Sequence, residues 1–139
     1  MDYKQLICFR FLTGSGGGLE HKAKVITNVI TKPKPLTLKG ISLDSKINKY
    51  ICKKFGNDCI VALAVVHSEN GTMECDRVSR QNTNGTIDRG LWQLNSAYHP
   101  FIDDCYKNTD KAYAIYLSRG KSFDRWYGFT GGNYKKFLN

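Results

Sequence analysis

An apolar run near the middle of the chain constrains the fold more than any other feature. Residues 59–66 read Cys-Ile-Val-Ala-Leu-Ala-Val-Val and are followed by His-Ser-Glu69-Asn-Gly. Asp58 is a typical helix N-cap and Gly71 a typical stop, so the run predicts a helix over residues 59–70. Because this helix is apolar on almost every side, we expect it to lie buried at the centre of a domain, with Glu69 where the apolar stretch ends.

The segment before this run supplies a second helix and marks the start of the folded domain. Apolar residues recur at helical spacing over residues 47–55, and Asp44 or Ser45 can cap that helix. Residues 1–40 contain a Gly/Ser-rich stretch and a Lys/Pro-rich stretch, which are typical of flexible or extended linkers. We therefore expect residues 1–40 to form a flexible leader arm and residues 41–139 to form one folded domain.

The segment after the run combines a hairpin with a further helix. Residues 72–89 lack helical periodicity, and Asn84-Gly85 within them is a typical hairpin turn. A helix is predicted over residues 110–118, capped by Asn108 or Thr109. One small antiparallel hairpin among several helices predicts a mostly helical α+β fold.

The chain is strongly basic, with a formal net charge of +9. Such a charge favours anionic partners, which include nucleic acid, acidic lipid surfaces and anionic cell-wall polymers. The lysines are scattered and no nucleic-acid-binding motif accompanies them, which argues against a specific nucleic-acid binder. No apolar stretch approaches the roughly 18 residues of a membrane span.

Five cysteines are present, at Cys8, Cys52, Cys59, Cys75 and Cys105. Four of them lie within residues 52–105, and two disulfides among them allow three connectivities. We favour Cys75–Cys105, from the start of the hairpin region to the loop before the later helix, together with Cys52–Cys59 between the first two helices. The alternative is a set of reduced, small core residues. No Cys/His spacing is typical of a zinc site, so neither a metal nor a cofactor is predicted.

Two carboxylates occupy contrasting surroundings. Glu69 ends the apolar helix, where desolvation and the negative end of the helix dipole both raise a carboxyl pKa. Asp88 follows the predicted turn in a polar loop, beside Asn82, which is a candidate substrate-binding residue. One protonated and one ionised carboxyl group are what acid-catalysed glycoside cleavage needs. Taken singly, Glu69 also fits an exposed helix end, and Asp88 a turn with local hydrogen bonds.

Further polar and aromatic residues are candidates for a sugar-binding cleft. If residues 91–95 are extended, Gln93 and Asn95 lie on one side of the strand. Their amides then either satisfy backbone groups or contact Asp88 and sugar N-acetyl groups. Trp126 and Tyr134 are either sugar-stacking platforms or core residues.

An ordered set of residues in this region resembles the active site of a known superfamily, the lysozyme-like fold. Glu69 is followed by Asn82-Thr-x-Gly-Thr-x-Asp88-x-Gly-Leu-x-Gln93-Leu-Asn95-Ser. The hairpin portion is similar to that of chicken-type lysozymes. Gly-Leu-x-Gln and the later Ala-Tyr-x-Ile-Tyr … Gly … Phe-x-x-Trp … Tyr segment resemble soluble lytic transglycosylase (SLT) domains.

The resemblance implies cleavage of the β-1,4 bond between N-acetylmuramic acid and N-acetylglucosamine in peptidoglycan. It implies that Glu69 is the general acid/base and Asp88 the second carboxylate, and it gives cleft-lining roles to Gln93, Asn95 and Tyr134. It implies an extracytoplasmic monomer acting on peptidoglycan strands, although the N-terminus carries no clear export signal.

Three departures from the family patterns leave the reaction type open. Transglycosylases usually have Ser directly after the catalytic Glu, where this chain has Asn70, and many of them lack an acid at the position of Asp88. The chicken-type framework has more cysteines than this chain. Asp88 favours hydrolysis, whereas the SLT-like tail favours the anhydro-forming reaction. The competing functions are a non-catalytic glycan-binding module on the same fold and a basic nucleic-acid-binding protein.

Overall fold

A computed structural model describes residues 34–139, which form one compact unit. Its elements in chain order are helix α1 (Lys46–Phe55), a 3-10 turn (Gly56–Asp58), helix α2 (Cys59–Glu69), strands β1 (Asp88–Arg89) and β2 (Leu94–Asn95), helices α3 (Cys105–Ser118) and α4 (Tyr127–Thr130), and a 3-10 helix (Asn133–Phe137). The predicted α+β fold, mostly helical with one small antiparallel sheet, is confirmed. None of the helices within residues 34–139 has the length and apolarity needed to cross a bilayer.

Helix α2 is the centre of the core, as the apolar run predicts. The five residues Ala62–Val66 have no exposed surface, and the helix contacts α1, α4 and the 3-10 helix near the C-terminus. Phe55 of α1 stacks on Trp92, with ring centroids 5.2 Å apart, and Trp126 packs edge-on against Trp92 at 5.4 Å. Each such side chain contributes roughly 1.5–3 kcal/mol by leaving water.

Helix α1 begins and ends where the sequence predicts. The Ser45 hydroxyl accepts a hydrogen bond from the backbone N–H of Asn48 at 3.1 Å, and Gly56 ends the helix with a positive φ of 56°. The Cys52–Cys59 disulfide then joins α1 to α2 across the intervening turn. The second disulfide is Cys75–Cys105, so both favoured pairs are present.

Helix α3 begins earlier than predicted, and its cap is Asp104 rather than Asn108 or Thr109. The Asp104 carboxylate accepts from the backbone N–H of Lys107 at 2.8 Å. Asn108 and Thr109 are buried within the helix, where their side-chain oxygens accept from the backbone N–H of Trp92 at 2.9 Å and from its indole N–H at 3.1 Å. The capping prediction was wrong because these polar groups serve a distant tryptophan instead of the helix terminus.

The predicted turn at Asn84-Gly85 is present, but the regular sheet lies after it. The backbone N–H of Asn82 donates to the Thr86 carbonyl at 2.7 Å across the turn, and Val78 forms an isolated antiparallel bridge with Arg89. Strand β1 pairs with β2 in the register that places Asp88 opposite Asn95.

Residues 91–93 are not extended, so the condition under which Gln93 and Asn95 would share one side of a strand is not met. Gly90 and Gln93 have φ values of 77° and 48°, and the chain between them forms a tight turn from β1 to β2. Leu91 and Trp92 are fully buried while Gln93 is partly exposed. Insertion of two consecutive apolar side chains into the core requires the turn, because a strand would send them to opposite faces.

The two ends of the described segment, residues 34–139, lie next to each other. Leu38 forms an antiparallel bridge with Leu138, and the backbone N–H of Lys39 donates to the Phe137 carbonyl at 2.7 Å. Residues 1–33, including Cys8, lie outside the described residues, so the division into an arm over 1–40 and a domain over 41–139 stays a prediction.

Replacement of Asn108 tests the link between α3 and the turn that precedes β2. In Asn108→Ala the backbone N–H of Trp92 and the carbonyl of Ile102 both lose a buried partner. We expect a loss of roughly 2–4 kcal/mol in the free energy of unfolding, measured by urea denaturation. Asn57→Ala, at an exposed position, is the matched control and is expected to change stability by less than about 0.5 kcal/mol. Equal effects of the two changes contradict the assignment.

Candidate active site

A cleft of about 570 Å³ opens at the C-terminal end of α2. Its walls come from five places in the chain: the end of α2, the small sheet with its turn, the loop after β2, the C-terminal end of α3 and the loop that leads into α4. Glu69 contributes from α2, while Asp88 and Asn95 contribute from the two strands. Two residues that lie 19 positions apart in the sequence, Glu69 and Asp88, thus share one cavity.

Glu69 is partly buried, and its carboxyl group accepts one hydrogen bond from the part of the chain that the structure describes. Its Oε1 accepts from the backbone N–H of Gly128 at 2.6 Å. Burial is the main cause that raises the pKa of Glu69 above its ordinary value, the Gly128 hydrogen bond acts in the opposite direction, and the negative charge of Asp88 adds to the rise. The site therefore favours the protonated carboxyl group more than water does.

Gly128 lies so close to the end of α2 that a side chain at this position does not fit. A Cβ atom on Gly128 would lie 1.9 Å from the Ser68 hydroxyl oxygen and 3.0 Å from Glu69 Oε1. The Ser68 hydroxyl cannot easily move, because it donates to the Val65 carbonyl at 2.7 Å. Because Gly128 has no side chain, its backbone N–H can approach the Glu69 carboxyl group closely.

Asp88 is held by neutral amides. Asn95 Nδ2 donates to one carboxylate oxygen at 2.9 Å, and Asn82 Nδ2 donates to the other at 3.3 Å. Both amides also donate to the Thr86 hydroxyl, at 2.9 and 3.0 Å, which fixes their orientation. Of the two, Asn95 lines the cleft and Asn82 does not. These bonds satisfy a carboxylate without neutralising its charge.

Gln93 lines the cleft, but its amide nitrogen is occupied by the protein itself. Nε2 donates to the backbone carbonyls of Gly90 at 2.8 Å and Arg77 at 3.3 Å. This is the first of the two alternatives that the sequence left open, in which the amide satisfies backbone groups.

The two aromatic candidates occupy different places. Trp126 forms part of the cleft wall, yet only 4% of it is exposed, and its indole N–H donates to the Trp92 carbonyl at 3.0 Å. Tyr134 stacks on Phe129, with ring centroids 4.8 Å apart, and is not part of the cleft lining. Tyr134 therefore packs against the hydrophobic core, and its predicted contact with a sugar stays a prediction.

Residues 53–128 match the family model described as "Lysozyme like domain". The match spans more than half of the chain and includes both carboxylates of the cleft. The chain belongs to the lysozyme-like domain family. No curated protein and no solved structure gives a significant match.

Asn70, the residue that departs from the transglycosylase pattern, lies outside the lining of the cleft in this lysozyme-like domain. It is fully buried, and its Nδ2 donates to the Glu74 carbonyl at 2.7 Å while its Oδ1 accepts from the Thr72 hydroxyl at 3.1 Å. Its side chain stabilises the loop that follows α2 and does not line the cleft.

Several cleft residues were not predicted from the sequence. Tyr98 and Tyr127 are 79% and 76% exposed and line the cleft, as do His99, Arg119 and Arg125. Each is an isolated side chain in a loop or at a helix end, where no periodicity marks it. Proximity to Trp126 was the available signal for Arg125 and Tyr127. Within residues 34–139, no group of three or more His, Cys, Asp or Glu side chains is arranged to hold a metal ion.

The raised pKa of Glu69 makes a prediction about stability and pH. Because folding favours the protonated form, ionisation of Glu69 opposes folding, and this penalty develops as pH rises above the ordinary value of 4.5 through the raised pKa. We expect Glu69→Gln to become more stable relative to the wild type between about pH 4 and about pH 7, as measured by urea denaturation at each pH. A stability difference that is independent of pH contradicts the burial of an ionisable Glu69.

Proposed function

We propose that this lysozyme-like domain is a glycosidase that cleaves the β-1,4 bond between N-acetylmuramic acid and N-acetylglucosamine in peptidoglycan. The observation that carries the proposal is the partly buried Glu69, whose pKa is raised, in the same cleft as the hydrogen-bonded carboxylate of Asp88. This pairing of a proton donor with an anion is the requirement of acid-catalysed glycoside cleavage.

In the proposed reaction, Glu69 donates its proton to the glycosidic oxygen while the bond from that oxygen to the anomeric carbon breaks. The leaving sugar departs with a new hydroxyl group, and positive charge develops on the remaining ring. Asp88 stabilises that charge or bonds to the anomeric carbon. The ionised Glu69 then takes a proton from the incoming nucleophile, which restores the acid.

The nucleophile decides between two reaction types. Water gives hydrolysis and a reducing end, whereas the 6-hydroxyl group of the same sugar gives a 1,6-anhydro product. The position of Asp88 in the cleft, with both oxygens held by Asn95 and Asn82, favours hydrolysis because it supplies a stabilising anion. Asn70 is buried in the loop after α2, where its side chain bonds to the backbone. The presence of Asn instead of Ser at this position therefore gives no reason to prefer either reaction.

The proposed setting is extracytoplasmic: the cell wall, the periplasm or the medium. Two disulfides in the domain support an oxidising compartment. The net charge of +9 supports adsorption to anionic wall polymers, with peptidoglycan strands as the substrate and the protein acting as a monomer.

Glu69→Gln tests the enzyme proposal. The glutamine side chain has the same shape as glutamate and keeps an oxygen that accepts from the Gly128 N–H, but it cannot deliver a proton. We therefore expect activity on purified peptidoglycan to fall by roughly 10²–10⁴-fold. Wild-type activity is expected to decline as pH rises through the raised pKa of Glu69, because the ionised form is not an acid. An unchanged rate for Glu69→Gln excludes the proposal. Glycan binding without turnover by the wild type indicates a non-catalytic binding module instead.

Asp88→Asn tests the reaction type. If the reaction is hydrolysis through a stabilised cation, we expect the variant to lose activity about as severely as Glu69→Gln, because the neutral amide cannot offset positive charge. Mass spectrometry of the wild-type digest gives the independent answer, with reducing ends for hydrolysis and anhydro sugars for transglycosylation. Glu74→Gln, a change of an acid outside the cleft, is the control. Anhydro products together with a mild effect of Asp88→Asn contradict hydrolysis.

A further inference from the structure

The cleft contains two arginines whose guanidinium groups differ in their partners. Arg119 donates through Nε and Nη2 to the two carboxylate oxygens of Asp124, at 3.1 and 2.9 Å, and Asp124 itself is outside the cleft lining. Arg125 lines the same cleft, is exposed, and forms no salt bridge with any residue of the described range 34–139. The guanidinium of Arg125 is therefore the more available of the two for a ligand.

Asp124, which precedes Arg125 in the chain, does not form a salt bridge with it. The pKa of Asp124 is lowered first by its hydrogen bond with Arg119, and the charge of Arg125 is the smallest of the contributions. Both oxygens of Asp124 already accept from Arg119. Arg125 thus brings a positive charge to a cavity whose other wall carries the carboxylate of Asp88.

The backbone holds Arg125 near the reaction centre. Its neighbour Trp126 is buried, and the Trp126 N–H donates to the Phe123 carbonyl at 3.0 Å. Gly128, whose N–H contacts Glu69, follows three residues later, so the Cα atoms of Arg125 and Gly128 lie at most about 11 Å apart. Arg125 also lines the cleft that contains Glu69, so its long side chain and the proposed proton donor border the same cavity.

Carboxylates distinguish the proposed substrate from a neutral polymer of N-acetylglucosamine. They are present either as the free lactyl group of the muramic acid or, where that group is amide-linked, on the stem peptide. A carboxylate entering the cleft is repelled by Asp88, and a guanidinium offsets this repulsion while binding the carboxylate through two parallel hydrogen bonds. We propose that Arg125 binds a carboxylate of the glycan substrate and gives the enzyme its preference for carboxylate-bearing over neutral strands. This inference rests on the proposed function.

The test measures glycan binding separately from catalysis. The full chain with its disulfides intact is prepared as Glu69→Gln, so that ligands are not consumed, and compared with the double variant Glu69→Gln/Arg125→Gln. Calorimetry gives Kd for three ligands: soluble peptide-bearing glycan strands, the same strands freed of peptide by an amidase, and a neutral N-acetylglucosamine hexamer. Arg80→Gln in the same background controls for loss of one exposed positive charge outside the cleft.

We expect the Arg125 change to raise Kd about tenfold for a carboxylate-bearing ligand and to leave Kd for the neutral hexamer within about twofold. A loss confined to peptide-bearing strands identifies the stem peptide as the source of the carboxylate. A loss confined to peptide-free strands identifies the lactyl group. Arg125→Lys is expected to recover part of the affinity, because it keeps the charge but not the planar fork.

The inference is overturned by an equal rise in Kd for all three ligands, or by no change for any of them. Absence of measurable binding to every ligand overturns it as well. The proposed function is judged by a different measurement, the cleavage of peptidoglycan by the wild-type protein. A protein that binds with the expected Arg125 dependence but does not cleave refutes the enzyme proposal and keeps the carboxylate site.

Discussion

The burial of α2 is the constraint on which the cleft depends. Ala62–Val66 are inaccessible to solvent, so the helix is fixed by contacts on all sides and Glu69 at its end has little freedom to move. Gly128 completes this arrangement by placing a backbone N–H directly against the Glu69 carboxyl group. The proton donor of the proposed reaction is therefore positioned by the core itself rather than by a loop, which suits a group that must meet its substrate in one geometry.

The two carboxylates differ because the protein solvates them by different means. Glu69 ends an apolar helix, and its burial disfavours the charged form more than the hydrogen bond from Gly128 favours it. Asp88 is surrounded by amide groups that Thr86 holds in place, so a negative charge there is well satisfied. The contrast comes from the fold, since one group ends a buried helix and the other lies on a small, partly exposed sheet. Arg125 adds the opposite charge at a third part of the cleft wall.

The sequence predicted those features whose signals are local. The apolar run and the cap at Ser45 act within a few residues of the helices they specify. The start of α3 was predicted wrongly because Asn108 and Thr109 form hydrogen bonds with Trp92, 16 and 17 residues earlier. A capping rule considers only neighbouring residues and cannot predict a partner at that distance. Glu69 and Asp88 were predicted to act together from an ordered motif. Proximity to Trp126 was the only local sign of Arg125, and its availability could not be predicted because it depends on the ion pair between Arg119 and Asp124.

The Cys75–Cys105 disulfide encloses the segment that carries Asp88. The two cysteines are 30 residues apart, and ring closure of this length stabilises the folded state by about 3–4 kcal/mol through the entropy of the unfolded chain. The exposed turn over residues 83–85 lies inside the ring. If a protease cuts the chain at that turn, the two fragments remain joined by the disulfide. Reassembly of the cleft in such a nicked molecule is then intramolecular, and its equilibrium does not depend on protein concentration.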